Sequence, residues 1–317
     1  MKKALKILLY LIATALLIIL VFFLFIQVKG IPTYSTVNIV YNANSNPERL
    51  ERGKKLVSSL CIGCHINRDV GNLSGGKMPD APKEFGEIYA PNITNDQEYG
   101  IGSWTDAEIM YLLRTGIKRN GKYAPPYMAK LPFLSDEDMA SVIVFLRSDD
   151  PLVASSSIPD KACEPSFLTK ALSNTVFKPL PFPESPIAMP DTANAVQWGR
   201  YLALNMECFS CHSADFKTND FYIPEKSAGY FGGGNKPLNL EGKVVLTPNL
   251  TPDMETGIGN WTKDQFIRAV KSGQVESGEA LRYPMNPYVR LSDAEVGAIY
   301  EYLQTIPPIK NKVERSK

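Results

Sequence analysis

Residues 61–65 read Cys-Ile-Gly-Cys-His, two thiols three positions apart with an imidazole directly behind the second. A cluster of this kind holds zinc, shuttles a disulfide, or carries a covalently attached haem. The pattern returns as Cys-Phe-Ser-Cys-His at 208–212, 147 positions later. A whole unit recurs around it. Pro-Asn-Ile-Thr at 91–94 returns as Pro-Asn-Leu-Thr at 248–251, and Gly-Ile-Gly-Ser-Trp-Thr at 100–105 as Gly-Ile-Gly-Asn-Trp-Thr at 257–262, both at an offset of 157. Leu134-Ser135-Asp136 and Leu291-Ser292-Asp293 keep that offset, as do Phe145-Leu146 and Tyr302-Leu303. The chain is thus a tandem duplication of a unit of about 100 residues. The two copies differ by a ten-residue insertion after the cysteine motif, and the Gly-rich stretch 228–235 is its expected place.

Each unit carries helix-start signals. Thr105 with Glu108 and Ser292 with Glu295 form capping-box patterns; Thr262 with Gln265 is the glutamine variant, and Ser135 with Asp138 a weaker one. Apolar residues follow at helical spacing, as in Ile109, Leu112, Leu113 and in Met139, Val142, Ile143, Leu146. A further helix is expected before each cysteine motif, from about Pro47 and about Thr192. No long alternating strand pattern competes. The segment 151–190 holds eight prolines and reads as an extended, semi-rigid linker wrapped on a domain surface, with a short helix over Ser166–Phe177. The end of the chain, Lys310–Lys317, is polar and reads as frayed.

The duplication decides among the three chemistries. Zinc needs about four ligands, whereas each repeat offers three and holds no other histidine. A redox dithiol belongs beside a βαβ pattern, which is absent. Thioether links from both thiols with the adjacent imidazole on iron satisfy the spacing, so two covalent c-type haems are expected, on Cys61, Cys64, His65 and on Cys208, Cys211, His212. His65 and His212 are the chain's only histidines, so a second imidazole on either iron is excluded within the chain, and thioether is the usual remaining ligand. Of nine methionines only Met128 and Met285 share the offset of 157, each in a Pro-rich loop before the last helix; they are the expected sixth ligands, giving His65/Met128 and His212/Met285 iron sites. A six-coordinate His/Met haem favours electron transfer over oxygen or peroxide chemistry.

Composition bounds the rest. Lys plus Arg number 34 and Asp plus Glu 33, which offers no basic footprint for nucleic acid. Lys2, Lys3 and Lys6 precede Ile7–Ile26, an uncharged run whose helical length of about 30 Å matches a hydrocarbon core. No small-residue cleavage pattern follows, so an uncleaved anchor is expected, with the lysines cytoplasmic and everything after about residue 30 on the outer face. Cys163 is left over and carries no assigned role. Residues 47–148 hold 13 basic and 13 acidic side chains, whereas residues 191–308 hold 10 and 14, so the second repeat is expected to dock a basic surface on its partner.

The order Cys-x-x-Cys-His, Pro-Asn-[Ile/Leu]-Thr, Gly-Ile-Gly-x-Trp-Thr, Pro-flanked Met and Leu-Ser-Asp resembles class I cytochrome c domains. More narrowly, it is similar to the multihaem cytochrome c subunits that accompany membrane-bound alcohol and gluconate dehydrogenases. The resemblance covers both repeats, and implies an all-α fold of two tandem class I cytochrome c domains plus one N-terminal transmembrane helix. The expected boundaries are an anchor over 1–30, a linker over 31–46, domains over 47–148 and 191–308 separated by the Pro-rich linker 149–190, and a polar tail over 309–317. The resemblance also implies that Gly53 and Gly199 lie where first and last helices cross, against Phe145 and Tyr302. Trp104 and Trp261 sit either at a haem edge or in the core. Asn92 and Asn249 match a glycosylation pattern, but their repetition suggests a loop role.

The expected function is periplasmic electron transfer through two haems at a bacterial inner membrane. The donor would be a dehydrogenase; the acceptor would be a quinone, another cytochrome or a terminal oxidase. The rival class is a dihaem redox enzyme, a peroxidase or sulfur-compound dehydrogenase, with one labile sixth ligand. A passive haem-bearing tether within a larger complex differs from the first reading only in its partners.

Overall fold

The computed structural model describes residues 2–78, 80–275 and 280–314. The chain opens with α1 (Lys2–Lys29), a 28-residue helix whose apolar side chains are exposed along most of its length. The first repeat follows as α2 (Pro47–Leu60), α3 (Ile62–His65), α4 (Asp106–Thr115) and α5 (Asp136–Leu146). The linker holds α6 (Phe167–Thr175), and the second repeat is built from α7 (Ala195–Asn205), α8 (Cys208–His212), α9 (Lys263–Ser272) and α10 (Asp293–Leu303). Helix accounts for 39% of the chain. The remainder is mainly ordered loop, with β1 (Gly76–Lys77) antiparallel to β3 (Tyr89–Ala90) and β2 (Gly86–Glu87) antiparallel to β4 (Glu164–Pro165).

The helix starts follow from their caps. Thr105, Thr262 and Ser292 each form a full capping box with Glu108, Gln265 and Glu295. Ser135 accepts from the Asp138 N–H without the reciprocal bond. Asn46 caps α2 and Asn194 caps α7, so the second of these helices begins three residues later than Thr192. Ser166 caps α6 within the linker.

Packing repeats with the sequence. Helix α2 lies on α5 and α7 on α10, and one apolar cluster including Leu56, Phe145, Leu202 and Leu303 runs through both repeats. Glycine makes the helix crossings possible. A Cβ on Gly53 would lie 1.9 Å from the Ser141 carbonyl oxygen and 2.7 Å from the Phe145 Cβ. A Cβ on Gly199 would lie 1.8 Å from the Ala298 carbonyl oxygen, so the tight contact in the second repeat is with the backbone of Ala298–Ile299 rather than with Tyr302.

Two further expectations are corrected. The Gly75 N–H donates to the His65 carbonyl, and the Gly233 N–H to that of His212. Leu73 and Phe231 likewise accept from Ile93 and Leu250. The Gly-rich stretch therefore corresponds to Leu73–Gly75, and the extra residues lie before it, in a loop closed by the Ala214 N–H on the Ala228 carbonyl. The chain after α10 is also pinned: Ile309 N–H donates to Thr251 Oγ1 and Asn311 N–H to Thr256 Oγ1, each at 3.0 Å. Residues 315–317 of the expected tail lie outside the described residues.

The linker wraps the first repeat. Leu180 N–H donates to the Thr115 carbonyl, Ile187 exchanges hydrogen bonds with Asp136, and Phe182 packs on Tyr111.

Candidate haem-binding site

Each cysteine motif is a single helical turn at the end of a longer helix. The first continues from α2, with Cys61 N–H bonded to the Val57 carbonyl and His65 N–H to the Cys61 carbonyl. In the second repeat Glu207 takes a left-handed backbone (φ 58°) that separates α7 from the turn Cys208–His212. One turn of helix places both thiols and the imidazole at the same wall.

Both imidazoles are buried and held the same way. His65 Nδ1–H donates to the Pro91 carbonyl at 2.8 Å, and His212 Nδ1–H to the Pro248 carbonyl at 3.0 Å. A hydrogen bond at Nδ1 fixes the tautomer and leaves the Nε2 lone pair for a metal. Burial lowers the pKa of His65, against the opposing Pro91 hydrogen bond and with help from the Lys118 charge. Burial lowers that of His212 likewise, against the Pro248 hydrogen bond. Both rings are therefore neutral at pH 7, as ligation requires.

No disulfide joins the four motif cysteines. Burial, reinforced by the neighbouring Cys64 and Cys211 respectively, pushes Cys61 and Cys208 up to about 12. Burial first, and nearby carboxylates second, raise Cys64 and Cys211 to about 11. A redox-active dithiol needs a lowered pKa, so this environment opposes that chemistry.

The two expected methionines occupy matching turns. Met128 N–H donates to the Pro125 carbonyl and Met285 N–H to the Arg282 carbonyl, each at 3.0 Å. Cys61, Cys64, His65, Met128, Cys208, Cys211, His212 and Met285 all line one continuous cavity of about 2470 Å³, whose wall is mainly apolar. Trp104 and Trp261 line it too. The donor set fits haem: paired thiols beside an oriented neutral imidazole, a thioether in the same cavity, and room for a macrocycle. No cluster of three or more His, Cys, Asp or Glu with metal-binding geometry occurs among the described residues.

Sequence reasoning left two parts of this arrangement unassigned. The first is the role of Pro91 and Pro248, whose recurrence in Pro-Asn-x-Thr was itself the signal. The adjoining asparagines hold that loop: Asn92 Oδ1 accepts from the N–H and Oγ1 of Thr94, and Asn249 Oδ1 from those of Thr251. Their amides donate to Ser156 and Ile158 carbonyls and to the Ile309 carbonyl, respectively. Asn92 and Asn249 are buried, so they are loop clamps rather than sugar acceptors. The second is Lys130, whose ammonium donates to the carbonyls of Ala124, Pro125 and Met128 at 2.7, 2.9 and 2.8 Å. The corresponding position of the second repeat is Pro287, and nothing in the local pattern marks the difference.

The sequence profile of the family described as Cytochrome c matches residues 50–149 and 196–307. The chain belongs to the cytochrome c family. Among curated relatives, this cytochrome c is 29% identical over 263 residues to the alcohol dehydrogenase (quinone) cytochrome c subunit of Gluconacetobacter polyoxogenes, covering 78% of the chain and 54% of that subunit. It is 27% identical to the fructose dehydrogenase cytochrome subunit of Gluconobacter japonicus, covering 84% and 54%. It is 28% identical to a diheme cytochrome c-type protein of Cereibacter sphaeroides, covering 82% and 86%. The chain spans about half the length of the dehydrogenase subunits it matches. Membership implies covalently bound haem c and electron transfer through it.

Proposed function

We propose that this cytochrome c carries two haems, one per repeat, and relays electrons from a dehydrogenase into a respiratory chain on the periplasmic side of a bacterial inner membrane. Cys61 and Cys64 form the thioether links in the first repeat, with His65 and Met128 as iron ligands. Cys208, Cys211, His212 and Met285 do the same in the second. The domains run over 47–148 and 191–308, and α1 is the anchor. A dehydrogenase subunit is the donor, in keeping with the names of the relatives, and a quinone, cytochrome or terminal oxidase is the acceptor.

The observation that carries this reading is that all eight residues line one cavity, with both imidazoles aimed by equivalent proline carbonyls. Haem, when bound, supplies one reversible electron per iron. The chain's residues do the rest: the carbonyls of Pro91 and Pro248 orient the imidazoles, and the apolar wall limits solvent and so tunes potential.

Replacing Met128 and Met285 separately, in haem-loaded protein, tests the assignment. Each variant is expected to lose one haem's share of the near-infrared methionine–iron band and to lower that haem's potential. A high-spin signal from one haem in the unaltered resting protein would instead favour the dihaem enzyme. Co-purification from membranes tests the donor.

A further inference from the structure

The two repeats wall one cavity with matching elements, yet they do not put the same charges on it. Most charged side chains of the wall are exposed, carry either sign and are screened by solvent. Among the described residues, those that are half-buried are Asp80, Lys118 and Lys130 in the first repeat, and Glu207 and Asp220 in the second. The first repeat thus sets two cations against one anion, and the second sets two anions.

Three of these charges have a neutral counterpart at the equivalent position, which also lines the cavity: Val275 for Lys118, Pro287 for Lys130 and Leu60 for Glu207. The backbone fixes that register. The bridge Ile117–Tyr123 is matched by Gln274–Ala280, and the bond from Ala124 N–H to the Gly116 carbonyl by that from Leu281 N–H to Gly273.

Each charge stands nearest its own repeat's ligands. Three carbonyls surround Lys130 Nζ, one of them that of Met128 at 2.8 Å, and three acceptors call for the three protons of an ammonium. Burial and the Lys118 charge depress the His65 ring against the Pro91 bond, whereas at His212 burial is opposed by the Pro248 bond with no charge contributing among the described residues. Glu207 directly precedes Cys208, and its carboxylate adds to burial in raising Cys211. Asp80 reaches both sites, acting on Cys64 and on Cys211.

We propose that Lys118, Lys130 and Glu207 make the first repeat's haem the higher-potential site and the second repeat's the lower, so that electrons enter this chain at the second repeat and leave from the first. This rests on the reading that each repeat binds one His/Met haem. Ferric haem carries one positive charge more than ferrous haem, so a nearby cation favours reduction and a nearby anion opposes it. One electron then passes downhill from the second iron, oxidised from ferrous to ferric, to the first, reduced from ferric to ferrous, with no further reactant.

The test is spectroelectrochemical titration of the full haem-loaded chain, which should reduce in two one-electron waves. The methionine variants assign them: Met128→Ala is expected to displace the upper wave and Met285→Ala the lower. Lys118→Met should lower the upper wave by about a tenfold change in its reduction equilibrium, about 59 mV for one electron, and move the lower wave less. Lys118→Arg should leave both waves in place, which separates charge from packing. Glu207→Gln should raise the lower wave more than the upper. Displacement of the lower wave by Met128→Ala overturns the proposal, as does an upper wave unmoved in Lys118→Met together with a lower wave unmoved in Glu207→Gln. Survival of the near-infrared methionine–iron band in both methionine variants defeats the ligand assignment instead. The order is then decided by the wave that Lys118→Met moves more, the upper supporting the proposal and the lower overturning it.

Discussion

Arg52 in the opening helix of the first repeat donates from Nη1 to Oε1 of Glu295 in the closing helix of the second, at 2.7 Å. The same guanidinium grips Asp138 through Nε and Nη2, both at 2.7 Å, and lies 5.4 Å from the ring centre of Trp198. Tyr201 Oη–H donates to Asp138 Oδ2 at 2.7 Å, and Lys55 Nζ to Glu295 Oε2 at 2.8 Å. One arginine therefore satisfies a carboxylate in each repeat, beside the Tyr201–Asp138 and Lys55–Glu295 bonds that also join them.

Arg52→Ala is expected to destabilise the protein by about 3–5 kcal/mol, because Asp138 is wholly buried and would lose its main partner. Arg52→Lys should fall between, since an ammonium cannot reproduce the bidentate fork. Chemical denaturation followed by haem absorbance measures this; a change within about 0.5 kcal/mol, the range of an ordinary surface substitution, would refute it.

Glu295 sets an acid limit. Burial raises its pKa, but the Lys55 hydrogen bond, the Ser292 N–H and the charges of Lys55 and Arg52 outweigh burial, leaving the carboxyl below its ordinary value. A depressed carboxyl contributes stability above its unfolded pKa of about 4.3, and that contribution fades as pH falls through the lower folded value. Glu295→Gln should be less stable than the parent at neutral pH, with a shallower acid limb. Parallel pH profiles for the two proteins would contradict this.

Gly53→Ala and Gly199→Ala should each destabilise, despite alanine's advantage of about 1 kcal/mol in a helix. The added Cβ would meet a carbonyl oxygen below 2 Å, and overpacking of that kind costs about 1–3 kcal/mol or more. The sign of the shift in Tm decides: a rise in either variant would mean the helices can part freely.

Lys130→Met removes three hydrogen bonds from the loop that carries Met128. The near-infrared methionine–iron band is expected to weaken toward the contribution of one haem, the second repeat having Pro287 at that position. Lys130→Arg should restore part of it. A full band in Lys130→Met would show that the loop holds Met128 unaided.

The acidic balance of residues 191–308, 14 acidic against 10 basic, predicts that association of the second repeat with its redox partner slows as salt rises. Stopped-flow rates across ionic strength measure it, and a flat dependence would remove electrostatic steering by this repeat.

What could be read from sequence was local or repeated. The Cys-x-x-Cys-His turns, the three capping boxes and the matched Met128 and Met285 loops each involve residues a few positions apart, or patterns shown twice at a constant offset. Hydrogen bonds of i to i+3 span and one turn of helix are dictated by the chain itself, so the helical repeats and the haem chemistry were legible without coordinates. Contacts closed over long loops were not. The carbonyls aimed at His65 and His212, the Ala298 backbone against Gly199, the loop 213–230 as the place of the extra residues, and the pinning of Ile309 by Thr251 depend on where distant segments return. The sequence by itself determined that each repeat presents two thiols and an imidazole on one helical turn. Only the tertiary structure decided that Arg52 spans both repeats and that α6 closes on the end of α1, because such pairings are selected by burial and charge satisfaction in the folded whole.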